Sequence, residues 1–297
     1  MSFDPSERWF ELSEQFPIGP KRGGLPRRDH SAEEVAPGQI WQAYWRAAAA
    51  VVLIVGVDDA TARAHVRPAT LEPGVEDRSA IVVDAETSPL HGSITIWPET
   101  AAVIPFAVLG ECIGSIPVPL LGIIKVDHTT AGLRYGHADP PLGSGAALAI
   151  DALFDALDIL QSAPGLQSST AAKPVVQLQI PLLAIMNALQ IPQARAMAIR
   201  MGKEPLTLEE ADQLAVAADL PVDDVLAATA PLPDDLQREL QEPRWRKHIR
   251  RRAADGDEAR ARSRLGYEAY QLAARETGQG RELWRQRLKA VVATENG

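Results

Sequence analysis

The stretch GQIWQAYWRAAAAVVLIVGVDDATARAHVRPAT, Gly38 to Thr70, decides how this chain is read. It breaks into short runs rich in β-branched and apolar residues, QIWQAYW, AAVVLIVGV and ARAHVRPAT, with Asp58-Asp59 between the second and third. An aspartate carboxylate accepts hydrogen bonds from backbone a residue or two ahead, so the pair predicts a tight turn. SAIVV, SITIW and AAVI follow before Ile116, with Pro73-Gly74 as a further turn signal. Short strands at this spacing predict an all-β barrel or sandwich built around a meander. The run Val51 to Val55 has no polar alternation, which predicts a strand buried on both faces at the centre.

Outward from this stretch the character changes twice. Residues 1–35, with the tract GPKRGGLPRR, read as a mobile arm, and residues 36–126 as the barrel. Residues 127–173 read as a linker holding one helix, whose apolar positions are Leu148, Ala152, Leu153, Ala156, Leu157 and Leu160. From Pro174 the pattern is helical: a short apolar helix ends near Leu189, Ile191-Pro192 restarts the chain, and Gln193 to Met201 forms a second helix capped by Gly202. Thr207 with Glu210 three residues on predicts a capping box, opening a helix that buries Ala211, Leu214, Ala215 and Ala218. Residues 174–230 thus form a helical domain and 231–297 a basic helical extension. The expected fold class is α+β.

Composition narrows the function. The formal net charge is −9, which argues against a chain that coats nucleic acid or anionic membrane along its whole length. The acidity is confined to the first half: up to Lys173 there are 12 basic and 21 acidic residues, and from Pro174 onward 18 of each. One cysteine, Cys112, excludes a disulfide framework and any multi-cysteine metal site, and the six histidines never fall at metal-ligand spacing. No metal or other cofactor is expected. The start lacks an apolar secretory core, and Pro105, Pro117 and Pro119 interrupt the weakly charged stretch from Thr100 to Ile124, so a cytoplasmic protein without membrane spans is expected.

Two segments carry chemistry. IPQARAMAIRMGKEPLTLEEADQLAVAADLPVDDVL, Ile191 to Leu226, resembles the helix-turn-helix core of the Xre/Cro-type repressors. The resemblance implies that the helix from Pro192 to Met201 enters the major groove of duplex DNA. Gln193 and Arg195 would then reach base edges, and Arg200 and Lys203 would neutralise phosphates. Gln193 to Lys203 carries three cations and no acid. The patch Arg238 to Arg252 holds seven basic residues against two acids, and Arg244, Arg246, Lys247, Arg250 and Arg251 extend the candidate DNA surface. If helical, it should bury Trp245, Ile249 and Ala253 and leave Arg246, Lys247 and Arg250 outside. Pairing with Asp255, Asp257 and Glu258 downstream is the alternative.

APGQIW (Ala36 to Trp41), the valine run, VRPAT (Val66 to Thr70) and Leu109-Gly110 with Ile113-Gly114 resemble the PemK/MazF family of toxin ribonucleases, which have an SH3-like barrel. The resemblance implies a metal-free acid–base pair, mapping onto Arg46 and Thr70. The first expectation is a DNA-binding regulator whose expected partners are duplex DNA, a second copy in a homodimer and a protein at the barrel. The alternatives are an endoribonuclease using Arg46 and Thr70, with the helical part as regulator, or a protein-interaction adaptor.

Overall fold

The computed structural model describes residues 34–88, 90, 92–116, 133–166, 180–201, 203–227, 231–253, 256–273 and 280–295. The arm expected over residues 1–35 therefore lies outside the described residues up to Glu33, as does the cap at Gly202. An antiparallel sheet occupies the N-terminal side and helices the C-terminal side, as the α+β expectation required. The chain divides into two compact units, one of Met1–Gly165 with Glu242–Arg244 and the other of Leu166–Gln241 with Trp245–Gly297.

In the first unit, β1 (Gln39–Trp45), β2 (Ala48–Asp58) and β3 (Arg63–Thr70) form the expected meander. Trp45 pairs with Ala48 across a two-residue turn of Arg46 and Ala47, and Arg46 has φ 53°. The β2–β3 turn is organised by Asp58, whose carboxylate accepts from Ala60 N, from Thr61 N and from Thr61 Oγ1 at 2.6 Å. Those donors hold the Asp58 carboxyl below its ordinary range, the Thr61 hydroxyl most of all. Pro73 and Gly74 also turn, with Gly74 at φ 76°, where a side chain would be strained.

β4 (Ile81–Val83), β5 (Ile94–Ile96), β6 (Ala102–Pro105), β7 (Leu109–Ser115) and β8 (Leu133–Tyr135) complete the sheet, in the order β7-β1-β2-β3-β5-β4-β8. The edge of β3 away from β2 serves two partners: Arg63 to Val66 pair with β6, and Ala69-Thr70 with β5. Pro68 stands at the changeover, where a residue lacking an N–H costs the ladder least. Among the described residues the hydrogen-bonded path is open, with β7 and β8 at its ends, rather than closed into a ring.

Of the run Val51 to Val55 expected to be buried, Val51 to Ile54 are buried and Val55 is half-buried. One face of the sheet buries Ile40, Val51, Leu53, Ile81, Ile94 and Ile96 in a single cluster. The helix read as part of a linker, α1 (Gly145–Gln161), packs on β2 and β6 instead. Its burial follows Ile150, Ala156, Leu157 and Leu160, while Leu148 stays exposed. Ser144 caps it by accepting from Ala147 N at 3.2 Å, and Phe154 meets the edge of Trp97 at 5.8 Å.

The second unit consists of α2 (Leu182–Leu189), α3 (Gln193–Arg200), α4 (Leu208–Ala218), α5 (Val222–Ala227), α6 (Asp234–Gln241), α7 (Arg246–Arg252), α8 (Glu258–Ala273) and α9 (Arg281–Glu295) among the described residues. One apolar cluster runs through it from Ile180 to Val292. α8 and α9 share an apolar core: Tyr267, Trp284, Leu288, Val291 and Val292 are buried, and Tyr270 stacks on Trp284 with centroids 6.3 Å apart. Gly266 lets α8 lie on α6, because a Cβ there would come within 2.6 Å of Leu240 and 2.7 Å of Leu232.

Candidate nucleic-acid interface

The local fold of α2 to α4 follows from its punctuation. Gln190 takes a left-handed conformation (φ 53°) that ends α2, and Pro192 then starts α3, its carbonyl accepting from Arg195 N and Ala196 N. The capping box at the head of α4 is complete: Thr207 Oγ1 accepts from Glu210 N at 3.2 Å, and Glu210 Oε2 accepts from Thr207 N at 3.0 Å. α3 buries Ala196 and Ile199. Gln193, Arg200 and Lys203 are exposed, and neither Arg200 nor Lys203 forms an ion pair among the described residues.

Arg195, expected at base edges, is turned to its own unit. Its Nε lies 2.7 Å from Glu204 Oε1 and its Nη1 2.8 Å from Glu210 Oε1. Burial opposes its charge, but the two carboxylates outweigh that and hold its guanidinium above the ordinary range. Arg195 therefore ties α3 to the capping box of α4. Neither partner was singled out from the sequence as a ligand of Arg195, because Glu204 lies in a connecting segment and Glu210 already had a role as a cap.

The Arg238 to Arg252 patch departs further from expectation. Trp245 and Ile249 are buried as predicted, but Arg246, expected outside, is only 2% exposed. The chain enters α7 from a 3₁₀ turn at Pro243–Trp245, so Arg246 opens the α-helix and faces inward. There it donates from Nε and Nη2 to both oxygens of Glu258, at 3.1 and 3.3 Å. Arg250 Nε stands 3.7 Å from the same carboxylate, and Arg252 donates to Glu268 at 2.9 Å. Arg244 lies 3.5 Å from Glu242, and Arg251 rests against the His248 ring. Lys247 is exposed. Pairing with a downstream acid was one of the two alternatives in the sequence, and Glu258 realises it.

Beneath the patch, Glu239 is fully buried and accepts from Trp245 Nε1 at 3.1 Å, Arg281 Nε at 3.0 Å and Arg285 Nε at 3.1 Å. Burial pushes Arg262 down to about 10, despite the nearby Glu258; its Nε donates to the Leu240 carbonyl. Much of the unit's arginine is architecture.

In the first unit the two catalytic candidates, Arg46 and Thr70, share no hydrogen bond among the described residues. Val51 pairs with Ala69, which sets Thr70 level with Ala50, whereas Arg46 sits in the exposed turn beyond Ala48. Thr70 Oγ1 already accepts from Glu72 N at 3.2 Å. A cluster the sequence reading missed lies at the β8 end: Arg134 donates to both oxygens of Glu76 at 2.9 and 2.8 Å, and His137 Nδ1 is 3.4 Å from Glu76. The Arg134 bonds hold the Glu76 carboxyl below its ordinary range. The partners are 58 positions apart in the chain, which no local spacing signals. Among the described residues no group of three or more His, Cys, Asp or Glu could hold a metal ion, and no helix is long and apolar enough to cross a membrane.

No protein-family model matches the chain, and no curated protein matches it.

Proposed function

We propose that the chain is a DNA-binding regulator whose second unit engages duplex DNA through α2 and α3, in the manner of an Xre/Cro-type helix-turn-helix. In this reading the first unit, a PemK/MazF-like sheet of SH3 type, serves as a partner, ligand or dimer module. One observation carries it: α3 is a short helix held from behind by Arg195 and the α4 cap, while its outer side and the turn after it present Gln193, Arg200 and Lys203 to solvent. A supported helix with an exposed amide and flanking cations suits the major groove, where the amide can pair adenine and the cations meet phosphates. Lys247 is a further phosphate contact in this scheme, and Arg195 a positioning residue.

Salt dependence is the test. Titrating the protein with a mixed-sequence duplex at several salt concentrations should give a log–log slope that falls by about one for Arg200→Ala and again for Lys203→Ala. Absent or salt-insensitive binding would end the proposal. Cleavage of single-stranded RNA that survives chelation and is lost in Thr70→Ala would put the ribonuclease alternative in its place.

A further inference from the structure

The outward side of α3 is not what phosphate binding alone would produce. At about 100° per residue, Arg200, Gln193, Met197, Met201 and Ala194 follow one another across an arc of about 120°, opposite the buried Ile199 and beside the buried Ala196. All five are exposed, Met197 by 36% and Met201 by 43%. The one cation of the arc lies at its margin. The other arginine of the helix, Arg195, points at Glu204 and Glu210. Inward from Arg200 the arc therefore carries an amide, then two thioethers and a methyl group, with Lys203 just beyond.

We infer that this face reads A·T base pairs through the thymine C5-methyl group, an inference that rests on the DNA-binding reading above. In the major groove thymine alone among the four bases carries a methyl, and small or flexible apolar side chains recognise it by burying it. Methionine adapts its unbranched chain to such a target, and Gln193 supplies the bidentate partner for the adenine edge. Guanine, most often read by an arginine or lysine fork, finds no such group in the middle of the arc. The occupant is thus a duplex with thymine-bearing steps, and its phosphates complement Arg200 and Lys203.

The experiment selects duplexes from a randomised pool with the full chain, then compares the best of them made with thymidine and with deoxyuridine, which removes only the methyl groups. Weaker binding of the uracil duplex is expected, by about fourfold for each buried methyl. Met197→Ala and Met197→Gln should each shrink that difference, whereas Arg200→Ala should weaken both duplexes alike and leave their ratio intact. Equal binding of the two duplexes, with the salt slope retained, would overturn the methyl inference and leave DNA binding standing. Failure to retain any duplex would overturn both. A change of sedimentation in Met197→Gln with no change in DNA binding would instead make the arc a contact between copies of this chain.

Discussion

Two cationic segments of the second unit look alike on paper and behave differently in space. Gln193 to Lys203 keeps two of its three cations, Arg200 and Lys203, exposed and without an ion pair among the described residues, while Arg195 faces inward. Arg246 to Arg252 is denser in charge, yet Arg246, Arg250 and Arg252 meet Glu258 and Glu268 from the next helix. Density of charge along a chain therefore does not measure the field at its surface. What counts is whether an acid from a neighbouring element reaches the cation first, and only cations left over can release counterions from DNA.

The comparison breaks most visibly by removing one inward cation. Arg246→Ala takes the bidentate partner from the largely buried Glu258, which keeps Arg250 at 3.7 Å, and should cost about 3 kcal/mol of stability, read as a lower denaturant midpoint; Lys247→Ala, one residue on, should stay within about 0.5 kcal/mol. Next in size, Thr207→Ala removes the oxygen that caps α4 and should cost about 1 kcal/mol, with a matching drop in the affinity of α3 for duplex. Arg195→Met sharpens the contrast within α3 itself. Its ion pairs are about one-third exposed, so solvent screening limits the loss to less than about 1 kcal/mol, and the salt slope should not move, unlike that of Arg200→Ala.

The first unit offers the smallest effects. Asp58 and Glu76 both have carboxyls held below their ordinary values. Their contribution is complete above those values and is lost as pH falls through the depressed folded ones. Thermal melts of Asp58→Asn and Glu76→Gln should accordingly show less loss of stability on acidification than the parent. Arg46→Gly relieves a left-handed residue in a two-residue turn and should raise the melting temperature slightly, by no more than about 1 kcal/mol in stability.

Legibility followed the range of the interaction. The β1 to β3 meander, the Asp58 turn, the α4 capping box and the inward Trp245 and Ile249 were readable because each depends on residues within a few positions of one another. Helix α1 was readable as a helix but not as a cover for the sheet, since its own periodicity says nothing of what lies opposite. Arg246 was assigned to the wrong side because a 3₁₀ turn at Pro243–Trp245 offsets the helix that follows. The α3 face was half legible: its cations stand out in the sequence, whereas the exposure of Met197 and Met201 depends on how α3 packs.

Amino-acid order alone determined most of where this chain forms strands, helices and caps, because those choices are settled by backbone chemistry over one or two turns; β8, inside the stretch read as a linker, is a strand only through its pairing with β4. Tertiary structure decided which arginines face solvent and which face Glu204, Glu210, Glu239 or Glu258. An ion pair needs two side chains brought within a few ångströms, and that meeting is arranged by the packing of whole elements.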